Sequence, residues 1–268
     1  MSSVARPANP TIAQIKEVTQ PESIVSRANS EHWLNNVYLR RVSPYLTRTL
    51  IKLNVSPNAV TFVMIGIGKL AALSLLINGV IGAVAAAVLA QFQMVVDCSD
   101  GEVARWQNKF SPKGIFLDKV AHYTVEGLVP VALGIRAAGG ISSFSQTPTW
   151  WPFLGACLAV LVLLNKSLND AVHVSRALSG MDKLADVRGV SAPRNSLLNA
   201  IRNVTRVFPF QRIFHSIEMT AIALLAAIVD STHGNLDATR HGLVGLTVLA
   251  AITLIGHFIS IMSSSRLA

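Results

Sequence analysis

Three aspartates and a histidine lie within residues 97–122 at spacings that suit a metal site. The stretch reads Asp97-Cys-Ser-Asp100-Gly101-Glu-Val-Ala104-Arg105 and then, after an eight-residue spacer, Gly114-x-x-x-Asp118-x-x-x-His122. If both halves are helical, Asp97 and Asp100 stand one turn apart on one helix, and Asp118 and His122 one turn apart on the next. A short loop between the two helix ends would then bring all four to one depth. Hard divalent ions such as Mg²⁺ and Mn²⁺ take oxygen ligands, usually a few carboxylates completed by the phosphate oxygens of a substrate. Three unpaired carboxylates at the end of an apolar helix are costly unless a cation, solvent or protons offset them.

The elements that must carry this pattern are membrane helices. Of the 268 residues, 51% are hydrophobic and only 14% charged, and the mean hydropathy is +0.47. Aqueous domains carry roughly a quarter charged residues. The shortfall sits in long apolar runs, so the expected fold class is all-α, a polytopic membrane protein. The net charge of +9 would suit nucleic acid on an aqueous surface. Here Lys and Arg cluster at the ends of the apolar runs, where they set topology and meet anionic headgroups, so no nucleic-acid partner is expected. Cys98 and Cys157 make no disulfide framework and are read as small packing residues. Met1 to Ser30 is polar and shows no cleavable leader.

Residues 1–28 read as a flexible cytoplasmic tail. Residues 29–55 read as an amphipathic juxtamembrane helix. Trp33, Leu34, Val37, Tyr38, Val42, Tyr45, Leu46 and Leu50 recur there at helical spacing among Arg40, Arg41, Arg48 and Lys52. Residues 56–268 read as a transmembrane catalytic domain of six helices, predicted at about 59–78, 80–96, 113–138, 152–178, 212–229 and 241–262. Pro57 suits the first turn of the first span, and Asn78-Gly79 the turn after it. The basic segments are the N-terminal one, the loop between spans two and three, and residues 179–211. The positive-inside rule then places both termini and the acidic motif in the cytoplasm, at the inner or plasma membrane in a bacterium.

The pattern D-x-x-D-G-x-x-A-R-(x8)-G-x-x-x-D-x-x-x-D resembles the signature of the CDP-alcohol phosphotransferases, integral membrane enzymes. These move a phosphatidyl or related phospho-alcohol group from a CDP-linked donor, such as CDP-diacylglycerol, to an acceptor hydroxyl and release CMP. This chain matches every fixed position except the last, where His122 replaces Asp. The resemblance implies Asp97, Asp100 and Asp118, with His122, as ligands of Mg²⁺ or Mn²⁺. It implies a CDP site formed by Asn58, Thr61, Asp97, Gly101, Ala104, Arg105 and Gly114, the small residues leaving room for the nucleotide. Asp118 and His122 would be catalytic, the final position of the signature being credited with the base. The family resemblance also implies a homodimer.

His122 leaves three readings open: a base and weak ligand, a base beside a single ion, or a repurposed site. Imidazole is a competent base near neutrality, but it removes one negative charge from the cluster. Glu126, a turn further on, would either orient His122 or pair with Lys69 at similar depth. Lys166, Asn169, Asp170, His173 and Arg176 form a polar stripe on span four, and His215 and Glu218 a shorter one on span five. Lys166, Arg176 and Arg194 would suit the acceptor alcohol if it is phosphorylated. Two rivals remain: a membrane prenyltransferase, which normally needs two Asp-rich motifs, and a transporter or non-catalytic scaffold built on this fold.

Overall fold

In a computed structural model of the chain, residues 6–25, 34–142, 150–182, 184 and 210–267 are described. Those residues are helical, with no strand among them. We label the helices α1 (Ile12–Thr19), α2 (Arg40–Lys52, entered through a π-helical turn, Asn35–Leu39), α3 (Pro57–Ser74), α4 (Gly79–Gln107), α5 (Pro112–Ala137), α6 (Trp151–Leu178), α7 (Ser216–His233) and α8 (Asp237–Met262).

Helix ends follow local chemistry. Ser56 Oγ accepts from the Ala59 amide at 3.3 Å, and Pro57 opens α3, where a missing N–H costs nothing. Asn54 and Asn108 each take a left-handed φ of +52° after α2 and α4. Asn tolerates that conformation better than most residues, so both helices stop there. Helix α4 runs through the acidic motif, as the one-turn spacing of Asp97 and Asp100 requires. Its predicted apolar run ends at Val96, but the helix continues to Gln107 and spans 29 residues. Asp97, Ser99, Asp100, Glu102 and Arg105 are polar without being helix breakers, so hydropathy ends before helicity does. The fifth predicted span starts four residues later than expected, at Ser216, after a short turn of 3-10 helix at Phe210–Phe214.

Four helices, α3, α4, α6 and α8, are long and apolar enough to cross a membrane, with mean hydropathies of 1.3, 2.0, 1.6 and 2.1. Helix α5 has the length but carries Lys113, Asp118, Lys119, Glu126 and Arg136. Helix α7 is 18 residues long and includes Glu218 and Asp230. Large apolar side chains stand exposed along the spans, among them Phe62, Val63, Leu70 and Leu73 on α3 and Val244, Val248, Ile252 and Ile255 on α8. In water such a surface would aggregate; against lipid tails it costs nothing.

The chain divides into two compact units, one from residues 1–69 and 89–124 and the other from 70–88 and 125–268. In the first, Val60, Met64, Val96 and Ala121 bring α3, α4 and α5 together, and Ile15, Ile51 and Trp106 seat α1 and α2 on the end of α4. Helix α2 turns Ser43, Pro44, Thr47 and Ile51 inward and leaves Arg41, Val42 and Tyr45 exposed. Its predicted start, residues 29–33, lies outside the described residues. Pro44 has no N–H for the Arg40 carbonyl, and the Gln20 amide donates to that oxygen at 3.0 Å.

In the second unit, α5 and α6 meet backbone to backbone. A Cβ on Gly134 would lie 2.7 Å from the Trp151 carbonyl oxygen and 2.9 Å from the Gly155 Cα, so only glycine fits. The buried Arg136 donates to the Leu75, Ile77 and Gly79 carbonyls at 3.4, 2.9 and 2.6 Å, which supplies a donor to acceptors in the turn between α3 and α4 and at the first residue of α4. Asp230 accepts from the Ala238 and Thr239 amides at 2.8 and 3.1 Å and so caps the start of α8. Trp150 and Trp151 stack at 4.2 Å between ring centroids, with the Arg240 guanidinium over Trp151.

Candidate metal and nucleotide site

Helix α4 sorts its last turns into two stripes. Asp97, Asp100, Gly101, Ala104 and Arg105 are partly open, while Cys98, Ser99, Glu102, Val103 and Trp106 are buried. The open positions recur at i, i+3, i+4, i+7 and i+8, the phase of one helix face. A four-residue loop, 108–111, reverses the chain into α5, where Asp118 and His122 follow one turn apart.

The two helices bring three predicted ligands together. His122 Nε2 lies 3.2 Å from Asp97 Oδ1 and 3.5 Å from Asp118 Oδ1. One donor atom from each residue falls within 4.8 Å of the others. Asp118 is the most open of the three, with 44% of its side chain exposed against 21% for Asp97 and 23% for His122. Asp100 stands beside this trio, within the electrostatic reach of all three members, and its Oδ2 is 3.0 Å from Thr61 Oγ1. The same hydroxyl lies 3.2 Å from the Pro57 carbonyl, so its single proton is shared between two acceptors. Two carboxylate oxygens and one imidazole nitrogen, converging from two helices and partly open to solvent, fit a divalent ion.

The small residues keep space over the helices. A Cβ on Gly114 would approach Asn58 Oδ1 to 3.3 Å and Ser111 Oγ to 3.4 Å. One on Gly101 would approach the Arg105 guanidinium at 3.2 Å. Arg105 is held in turn by the first helix: its Nε donates to the Thr19 carbonyl at 2.6 Å, and Arg6 donates to the carbonyls of Arg105 and Trp106. Asn58 and Thr61, read from sequence as helix-start residues of the nucleotide pocket, therefore touch the site through Gly114 and Asp100.

The residue missed by sequence reading is Glu102, wholly buried two positions after Asp100. Its Oε1 accepts from Ser43 Oγ at 2.7 Å and Gln20 Nε2 at 2.8 Å, its Oε2 accepts from Thr47 Oγ1 at 2.6 Å, and Arg40 approaches to 3.7 Å. The signal was present: Ser43 and Thr47 stand four apart on one face of the helix, away from the exposed Thr49. Such a hydroxyl pair faces a polar partner when buried.

The polar stripes of α6 and α7 are found in the second unit. Glu126 accepts from Lys166 Nζ at 2.7 Å, and its other oxygen lies 3.2 Å from His215 Nδ1. The partners of Glu126 thus include Lys166 and His215, neither of which was the partner expected from sequence. Arg176 donates to the Asp182 carbonyl at 2.9 and 2.8 Å and to the Arg266 carbonyl at 2.6 Å, tying the end of α6 to the chain around it. Arg194 lies outside the described residues.

Residues 54–180 match the family model of the CDP-alcohol phosphatidyltransferases. That stretch runs from the left-handed Asn54, through α3, α4, α5 and α6, to just past the last turn of α6. No curated protein matches the chain.

Proposed function

We propose, for a chain whose residues 54–180 match the family model of the CDP-alcohol phosphatidyltransferases, that it transfers a phosphatidyl or related phospho-alcohol group from a CDP-linked donor such as CDP-diacylglycerol to an acceptor hydroxyl, releasing CMP. It is an integral membrane protein. The observation that carries the reading is the convergence of Asp97, Asp118 and His122 donor atoms within 4.8 Å, with Asp100 alongside.

Asp97, Asp118 and His122, with Asp100 beside them, would hold Mg²⁺ or Mn²⁺, which supplies positive charge to the donor diphosphate and to the departing CMP. The remaining chemistry falls to the chain's own groups. Gly101, Ala104 and Gly114 leave the helix surfaces low enough for cytidine and ribose, with Asn58 over Gly114 as a polar edge. Thr61 fixes Asp100, and the first helix fixes Arg105. The acceptor oxygen attacks the phosphorus that bears the donor's alcohol. The bond from that phosphorus to the oxygen shared with CMP breaks, and CMP leaves with the electron pair. Asp118, the most open carboxylate of the trio, takes the hydroxyl proton. His122 Nε2 is turned between Asp97 and Asp118, which supports a ligand role over that of base.

Six spans follow if α5 and α7 join the four apolar helices; their lengths of 26 and 18 residues support this. The clustering of Lys and Arg supports termini and site on the cytoplasmic side, and the family resemblance supports a homodimer. Exposed Val42 and Tyr45 beside Arg41 on α2 support its placement at the membrane surface. A phosphorylated acceptor would have to exchange with Glu126 for Lys166 and with main-chain carbonyls for Arg176. The test is CMP release by purified protein given CDP-diacylglycerol, Mg²⁺ or Mn²⁺, and a panel of plain and phosphorylated alcohols. CMP formed with an acceptor and a metal supports the reading; none formed under any combination removes it.

A further inference from the structure

We infer that His122 makes this site select a nitrogen-accepting first-row ion, with Mn²⁺ as the representative, over Mg²⁺. The inference rests on the metal reading above and goes beyond it to the identity of the ion.

An octahedral ion with bonds of ~2.1 Å holds neighbouring donors about 3 Å apart. His122 Nε2 already stands at 3.2 Å from one carboxylate oxygen and 3.5 Å from the other. The imidazole therefore occupies a corner of the donor set, where a carboxylate would otherwise be. The exchange has two consequences of opposite sign. Mg²⁺ binds through charge and hard oxygen, so losing one negative ligand weakens it. Imidazole binds first-row ions with a strength that rises from Mn²⁺ along the series, and even Mn²⁺, which shares the preference of Mg²⁺ for oxygen, accepts a nitrogen ligand more readily than Mg²⁺ does and so recovers part of what it loses in charge.

The experiment uses full-length, tag-free protein in detergent and reads the ion directly. Mn²⁺ titrations followed by the free six-line electron paramagnetic resonance signal give its affinity, and Mg²⁺ competition gives the ratio. Electron spin-echo modulation reports a coordinated ¹⁴N. We expect nitrogen modulation in the wild type and none in His122→Asp. The Mn²⁺-to-Mg²⁺ affinity ratio should fall by at least ~10-fold in that variant, the scale on which changes around a metal alter affinity. Bound Mn²⁺ without nitrogen modulation in the wild type, no Mn²⁺ bound at all, or an unchanged ratio in His122→Asp would each overturn the inference. CMP release is read separately. Nitrogen-coordinated Mn²⁺ with no CMP formed upholds the inference and removes the transferase reading. CMP formed without nitrogen coordination does the reverse.

Discussion

Asp100 and Glu102 sit two residues apart on one helix and live in opposite worlds. Glu102 is sealed away from solvent, yet its oxygens accept from two hydroxyls and an amide, all donated by residues of the first fifty. Asp100, Asp97 and Asp118 are partly open and face one another, with Thr61 and His122 as partners. A buried carboxylate that accepts from three neutral donors with a guanidinium close by, as Glu102 does with Arg40 at 3.7 Å, is satisfied without a metal ion. Carboxylates that converge repel one another, and a divalent cation relieves that repulsion. The contrast separates a carboxylate that fastens the amino-terminal helices to α4 from those proposed to hold an ion.

The contrast can be broken from either side. The largest effect is expected at Asp118→Asn, which removes the proposed base and one ligand. CMP release should drop by ~10³-fold or more, while thermal stability in detergent holds or rises because like-charge repulsion is relieved. A substantial loss of stability in this variant would make the cluster structural. Glu102→Ala should do the converse. It strands three donors, which at about 1–3 kcal/mol for a buried polar group left unpaired should lower the midpoint of thermal unfolding clearly. Mn²⁺ affinity, measured on the fraction still folded, should stay near wild type; a collapse of metal binding at unchanged stability would move Glu102 into the site.

Smaller effects sharpen the boundary. Thr61→Val keeps the shape of the side chain and removes the donor to Asp100. A hydrogen bond worth about 1 kcal/mol corresponds to roughly a fivefold change, expected in donor KM or metal affinity; no change in either would leave the hydroxyl serving Pro57 alone. Gly101→Ala is the mildest. Its Cβ meets only the mobile end of Arg105, at 3.2 Å, so stability should shift by less than about 1 kcal/mol. A measurable rise in donor KM would still register the lost space over the helix, and an unchanged KM would place the nucleotide elsewhere.

The positions of these groups were unequally legible. Asp97, Asp118 and His122 were visible because helical spacing is a one-dimensional property and the loop between them is short. In α4 the apolar section ends at Val96 and the helix runs on to Gln107; hydropathy marks only the first boundary, while the one-turn spacing of Asp97 and Asp100 carries the helix past it. Glu102 was overlooked for the opposite reason. Its partners lie some 55 to 82 residues earlier in the chain, and no local pattern links Gln20, Ser43 and Thr47 to it. Lys166 looked like a cation awaiting a phosphate. Its pairing with Glu126, forty residues earlier, joins α6 to α5, a contact that spacing along either helix does not encode.

Residue type and period alone decided that the chain is helical and apolar enough for a membrane, and that its acids recur one turn apart. Those are properties of a single helix and need no knowledge of neighbours. Tertiary structure decided which acids meet each other and which meet hydroxyls, because a carboxylate's role depends on the atoms within about 3 Å of it, and these come from distant parts of the chain.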